Sequence, residues 1–280
     1  MFKDFLDKKN CFKLILGASN KDIEQIEKLC SIYYEAGCRF FDVSASVEAV
    51  KSAKKAGKGS YICVSVGGKN DPHISKCYIN EKKCTKCGKC KSVCLQEAIY
   101  DKSRCIGCAK CLEVCKSKAI KQVFEYKPME DIISPLINLG IDCIEFHISD
   151  ASKKTLDDFK TITSLFKGAI SVCLSRKKLS DEKIIKLLKK MKKMTSNLFM
   201  VQADGNPMSG GKDDYRTTLQ AVALAAMIEK ENITPYIFVS GGTNSKTAKL
   251  IKKLGIDVAG IAMGSFARKE YKKAHELVNY

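Results

Sequence analysis

The sequence has no apolar run of membrane-spanning length. Its first residues, Met1-Phe2-Lys3-Asp4-Phe5, carry charges where a signal peptide needs an apolar core. Both absences point to a cytoplasmic protein whose thiols stay reduced. Arginine is scarce: Arg39, Arg104, Arg176, Arg216 and Arg268 are the only five among 49 basic residues. Nucleic-acid readers use arginine forks and aromatic platforms. The net charge of +18 therefore reads as a lysine-rich, solvated surface, and no nucleic-acid partner is expected. No Gly-x-Gly-x-x-Gly follows the first predicted strand, which argues against a dinucleotide fold. A Cys-x3-Cys-x2-Cys loop is missing, so radical chemistry on S-adenosylmethionine is not indicated. Neither a Ser-His-Asp order nor a metal-binding His pair is visible.

Cysteine, by contrast, is abundant. Eight of the fifteen fall into two copies of one pattern, Cys84-x2-Cys87-x2-Cys90-x3-Cys94 and Cys105-x2-Cys108-x2-Cys111-x3-Cys115. This is the spacing of a bacterial ferredoxin with two [4Fe–4S] clusters, in which the fourth thiolate of each run reaches the other cluster. The expected ligand sets are Cys84, Cys87, Cys90 with Cys115, and Cys105, Cys108, Cys111 with Cys94. The flanks repeat as well: CTKCGKCKSVCLQEAI and CIGCAKCLEVCKSKAI align residue for residue, 21 apart. Leu95 and Lys116 stand where a proline usually follows the fourth cysteine. Zinc sites favour separated ligand pairs, and a disulfide framework does not produce a cysteine triplet twice. Residues 82–121 carry eleven basic side chains against Glu97, Asp101 and Glu113. That excess favours reduced, anionic clusters and would steer an acidic electron carrier. The remaining cysteines read as small core residues, Cys77 being the one placed to be redox-active.

Outside residues 74–124 the chain alternates short apolar runs with amphipathic stretches. The apolar runs are Phe12–Gly17, Phe40–Val43, Tyr61–Val66, Cys143–Ile148, Ala169–Leu174, Leu198–Val201, Tyr236–Ser240 and Val258–Met263. They are nearly continuous, as expected of parallel strands covered on both faces. Helical patterns at Lys21–Ala36, Lys127–Leu139, Asp181–Met194, Thr218–Lys230 and Ser245–Leu254 lie between them. Eight β-then-α units predict an α/β (β/α)8 barrel, with an open doubly wound sheet as the alternative. The expected division is a barrel of residues 1–73 and 125–280 with an inserted α+β two-cluster ferredoxin domain at 74–124. The insertion follows strand three and precedes its helix, which places it on the catalytic face.

Two glycine-rich strand ends, Ser240-Gly241-Gly242-Thr243 and Gly264-Ser265, follow strands seven and eight. Loops at these positions often bind phosphate. Ser240, Gly241, Gly242, Thr243, Gly264 and Ser265 are accordingly candidates for holding FMN or another phosphate-bearing ligand, against the alternative that the glycines only make turns. Asp42, Glu145, His147, Gln202 and Asp204 are polar residues in apolar strands and are candidates for chemistry. For His147 a satisfied core hydrogen bond is an equal reading. Asp71-Pro72-His73 reads as a rigid turn into the insert.

Several of these segments resemble the light-dependent period (LdpA) family. They are Phe12-Lys13-Leu14-Ile15-Leu16-Gly17-Ala18-Ser19, Asp71-Pro72-His73, Asp204-Gly205-Asn206-Pro207-Met208-Ser209-Gly210, Gly241-Gly242-Thr243-Asn244 and Gly264-Ser265-Phe266-Ala267-Arg268. They lie in the same order around the double cysteine motif, over roughly residues 11–270. The family is known from cyanobacteria as iron–sulfur proteins that report redox state to the circadian clock. The resemblance implies clusters and redox sensing, and supplies no reaction. Three functions follow. The clusters exchange electrons with a ligand in the barrel, such as a flavin; or they signal to a regulatory protein without turnover; or they are structural. A barrel mouth plugged by side chains would favour the second.

Overall fold

The computed structural model describes residues 1–69, 71–206 and 211–280. Ten strands occur among them: β1 Cys11–Ile15, β2 Phe40–Ser44, β3 Tyr61–Gly67, β4 Ser75–Ile79, β5 Ile120–Phe124, β6 Cys143–His147, β7 Ala169–Leu174, β8 Phe199–Asp204, β9 Ile237–Ser240 and β10 Gly260–Met263. Eight of them close a parallel barrel in the order β1-β10-β9-β8-β7-β6-β3-β2. Strands β4 and β5 form a separate antiparallel pair. The expected eight-stranded barrel is thus the observed one, and the open sheet is excluded.

Strand residues alternate between the two faces of a sheet. Here one set packs under the helices as the main core, including Phe12, Leu14, Phe41, Val43, Ile144, Phe146, Val172 and Val201. The interleaved set fills the barrel in layers. The bottom layer is apolar, with Cys11, Phe40, Cys63, Cys143, Ala169, Met200 and Phe238 in one cluster. Two residues further along each strand come Lys13, Asp42, Ser65, Glu145, Ser171, Gln202 and Ser240, all buried. One more step adds His147, Cys173 and Asp204 at the top. The barrel is therefore dry and apolar at its N-terminal end and polar towards its C-terminal mouth. A helix at Phe2–Asp7, which the sequence pattern did not reveal, closes the bottom. Its Leu6 is fully buried in the bottom cluster, and Phe2 and Phe5 pack on Phe40 and Tyr61.

Five of the outer helices begin where a short polar side chain accepts a backbone N–H, at Asp22, Ser46, Ser152, Ser180 and Asp214. The helices predicted from the sequence are observed at Ile23–Glu35, Met129–Ile137, Asp181–Lys193, Tyr215–Lys230 and Thr247–Leu254, within three residues of the predicted ends. The last one stops at Gly255 in the left-handed conformation, φ +64°. None of the described helices is long and apolar enough to cross a membrane.

Between β3 and the helix Met129–Ile137 the chain leaves the barrel through β4 and returns through β5. The eight repeated cysteines lie between these two strands. Their surroundings repeat in structure as they do in sequence. Asn80 and Asp101 cap matching short turns. Lys86 and Gly107, Gly88 and Ala109, and Glu97 and Lys118 form three pairs 21 residues apart, and all six have positive φ between 52° and 75°. The second half rests on the barrel mouth. Ser19 donates to the Cys105 carbonyl at 2.9 Å, and the Lys21 N–H donates to the Ser103 carbonyl at 2.9 Å. Arg104 pairs with Asp22 at 2.7 Å. All three barrel residues follow the C-terminal end of β1.

Candidate functional site: a polar barrel mouth under a cysteine-rich lobe

Four of the predicted ligands, Cys94, Cys105, Cys108 and Cys111, line one apolar cavity with Cys77, Ile99 and Ile106. This is the set in which the triplet of the second run takes its fourth member from the first. In the other set, Cys87 lies close enough to Cys115, and Cys90 to Cys84, to feel their charge. All fifteen cysteines are free of disulfides.

The residues present fit an iron–sulfur cluster by their donor chemistry. The N–H groups of Lys86, Ala98 and Ala119 point at the sulfurs of Cys84, Cys94 and Cys115, at 3.4, 3.3 and 3.3 Å. The Cys77 N–H points at the Cys105 sulfur at 3.5 Å. Non-glycine residues with positive φ are uncommon. Glu97 and Lys118 take this conformation immediately before the donating amides of Ala98 and Ala119. The Cys77 thiol lowers the Cys105 thiol to about 5 and the Cys111 thiol to about 7, in each case against burial. The thiolate, the ligating form, is thereby favoured. Cys77 belongs to the small core of the lobe and also touches these sulfurs.

Beneath the lobe lies a second cavity, enclosing about 710 Å³ of partly open space at the C-terminal mouth of the barrel. His147, Gln202, Asp204, Ser240, Gly241, Gly242, Thr243, Gly264 and Ser265 line it, as do Ser65, His73, Ile106 and Arg268. The cavity is partly open, and among the described residues no side chain plugs it. Ile106 and Ser265 border both cavities, so the two share a wall.

Asp42 and Glu145 do not reach the mouth. They sit in the polar layer, part of which (Ser65, Gln202, Ser240) lines the mouth, beside Lys13, which is fully buried, bonded to Glu145 and 3.5 Å from Asp42. The Lys13 ammonium also lies 5.5 Å from the Phe40 and Phe238 ring centres. Burial opposes its charge, but Glu145 and Asp42 outweigh burial and hold it protonated. Burial pushes Asp42 up, and Lys13 opposes that rise. Ser65 donates to Asp42 at 2.6 Å and stands 3.3 Å from His147 Nε2. His147 is therefore partly satisfied, yet its Nδ1 has no partner.

Asp71-Pro72-His73 is the expected tight turn, with Asp71 capping it, but it does more than turn the chain. It carries the His73 ring into the mouth, 4.4 Å from the His147 ring between centres. The absence of a histidine pair is thus corrected: the two residues are 74 apart in sequence and are joined only by barrel closure. His73 Nδ1 bonds Asp71 at 2.8 Å, and its Nε2 is 3.9 Å from Asp204. Burial opposes a charged ring, but Asp71, and behind it Asp204 and Glu145, raise His73 to about 9. Its neighbour is driven the other way, with burial and then the His73 charge lowering His147 to about 4.

The glycine-rich ends have packing reasons of their own. A Cβ on Gly241, φ +70°, would lie 1.6 Å from Asp204 Oδ1. On Gly242, φ +91°, it would lie 2.8 Å from the Thr217 carbonyl oxygen. The Thr243 hydroxyl is already committed to the Ala262 carbonyl at 2.8 Å. The missed member of this group is Arg268. Its guanidinium donates to the Ile15 carbonyl at 2.7 Å and reaches Ser265 at 3.3 Å, and its Nε has no partner. No carboxylate pairs with it among the described residues. Residues 207–210 of the Asp204–Gly210 segment lie outside the described ones.

Comparisons with known proteins agree with this architecture. Residues 98–121 match the family described as 4Fe-4S binding domain, so this is an iron–sulfur protein. The protein named Light dependent period A from Synechococcus elongatus is 29% identical over 282 residues, covering 92% of this chain and 80% of its own. Among solved structures, deoxyribose phosphate aldolase from Aeropyrum pernix matches 98% of this chain and 97% of its own, with a TM-score of 0.56 and 14% identity. A truncated 3-deoxy-D-arabino-heptulosonate 7-phosphate synthase from Thermotoga maritima covers 96% of this chain and 85% of its own, at TM-score 0.52 and 11% identity. These likenesses speak to the barrel fold alone. The model for the Light dependent period A C-terminal domain matches residues 136–279, just over half of the chain, and the protein belongs to that family.

Proposed function

We propose that this is a cytosolic iron–sulfur redox protein in which two [4Fe–4S] clusters exchange electrons with a ligand at the barrel mouth. The inserted domain, residues 74–124, would hold them through Cys84, Cys87, Cys90 with Cys115, and Cys105, Cys108, Cys111 with Cys94, on a barrel of residues 1–73 and 125–280. When bound, the clusters supply one-electron transfer. The observation that carries the reading is the shared wall. Ile106, flanked by Cys105 and Gly107, borders both the cysteine-lined cavity and the open mouth. A ligand there would be one side chain away from a cluster.

The ligand we favour bears a phosphate, FMN being the leading candidate. Arg268, a cation without a carboxylate partner, faces the mouth beside Ser265, Gly264 and Gly241. An anion is what such a guanidinium lacks. His73 and Asp204 lie across the same cavity and could hold or accept protons as a ligand is reduced. The eleven basic residues of the lobe suit an acidic electron carrier.

A second reading, a sensor that signals to a regulatory protein without turnover, draws support from the family resemblance and from the lobe's surface. Tyr100 and Leu95 are 81% and 61% exposed there. Titration with FMN separates the two. Binding to wild type, weakened at least about tenfold in Arg268→Gln through loss of a charge-assisted contact, supports the first reading. No binding at millimolar FMN or phosphate supports the sensor.

A further inference from the structure

We propose that the barrel mouth also holds a divalent metal ion, bound by Asp71, His73 and His147. One donor atom from each of Asp71, His73 and His147 lies within 4.8 Å of the others. Two histidines and one carboxylate with free positions beside them form a recognised divalent-metal donor set. The separation of His73 Nδ1 and Asp71 Oδ1 is 2.8 Å. That matches the edge between neighbouring ligands around an octahedral ion with bonds of about 2.0–2.1 Å. A proton now holds these two atoms together, and a metal ion would replace it.

A second observation is what the interior lacks. Asp42, Asp71, Glu145 and Asp204 are all at least 95% buried; Lys13 stands beside Asp42 and Glu145, and His73 beside Asp71 and Asp204. Four buried carboxylates against these two cations leave negative charge that is costly to bury. Each of the four leaves an oxygen without a hydrogen-bond partner, and so does Gln202. His147 Nδ1, on a side chain 91% buried, is likewise unpartnered. These atoms are acceptors, so another acceptor-rich ligand would not satisfy them. A divalent cation supplies the missing charge and takes lone pairs from carboxylate and imidazole alike. Its position differs from that of Arg268, so the mouth is electrostatically bipolar: anion-seeking beside Arg268 and cation-seeking beside the histidines. Both histidines and Asp71 also border a second cavity, lined further by Cys173, Ser175, Lys177 and Lys178.

The test uses the whole protein, purified anaerobically with its iron content intact, oxidised and then treated with chelator. Mn2+ is the probe, because it prefers oxygen and imidazole ligands to thiolates. Oxidised [4Fe–4S] centres are diamagnetic, so loss of the free-Mn2+ paramagnetic signal counts bound ion directly. One tightly bound Mn2+ per chain is expected. His147→Gln and Asp71→Asn, which keep size and hydrogen bonding, should each weaken binding by about 10–100-fold or more while iron content stays unchanged. The proposal is overturned if wild type takes up neither Mn2+ nor Zn2+, or if both variants bind as wild type does. A failure of FMN to bind would leave this titration unaffected, so the two readings fail separately.

Discussion

Removing the Lys13 ammonium while keeping Asp42 and Glu145 would strand two buried carboxylates. Breaking a buried ion pair in this way costs about 3–5 kcal/mol. Lys13→Met should therefore lower the urea midpoint substantially, and adding Glu145→Gln should recover part of the loss; equal midpoints for wild type and Lys13→Met would show that the charge is dispensable. His73 gives a pH signature. Its folded value of about 9 stands above the ordinary 6.5, so it binds a proton in the folded chain that the unfolded chain has released. The stability it contributes is complete below 6.5 and is lost as pH rises through 9. In chelator-treated protein the melting temperature should fall between pH 7 and 9, and His73→Gln should flatten that slope. An unchanged slope in the variant would assign the titration elsewhere. At the cysteines, Cys108→Ser should remove one cluster and loosen the other, so that iron falls to about half or less of the wild-type content.

At the scale of elements, Gly242→Val would not be a clean probe of ligand binding. Its Cβ would meet the Thr217 carbonyl at 2.8 Å in a left-handed backbone, so the expected result is a lower melting temperature with or without ligand. A melting temperature equal to wild type would mean that the turn relaxes and that the glycine serves the ligand instead. The strands, their count and most helix ends were legible because apolar runs and caps are local signals. The polar layer was not read as a layer. Each of its members stands two residues after an apolar inward residue on its own strand, as Lys13 follows Cys11 and Asp42 follows Phe40. That period-two pattern was present in the sequence, but continuous apolar runs hid it, since the outward face is equally apolar. His73 and Arg268 were missed for a different reason. Both lie outside the strands, and only closure of the barrel brings them to the mouth. Nothing local marks the closing helix Phe2–Asp7 either, because its role is to cover Phe40 and Tyr61 from a distance in sequence.

For the whole molecule, the account rests on one juxtaposition: a cysteine-rich lobe whose Ile106 forms part of the ceiling of an open, bipolar barrel mouth. Anaerobic protein should contain about eight iron and eight acid-labile sulfide per chain, as two four-iron clusters require; zinc in place of iron would remove the redox reading altogether. Electron exchange across the shared wall is the most direct test. Protein whose clusters have been reduced, freed of excess reductant and mixed with stoichiometric FMN is followed by flavin absorbance and by the paramagnetic signal of the reduced clusters. The account predicts that flavin bleaches as the cluster signal disappears, at a rate that falls in Arg268→Gln. Clusters that stay reduced beside bound, oxidised flavin, or a rate unchanged by Arg268→Gln, would contradict it.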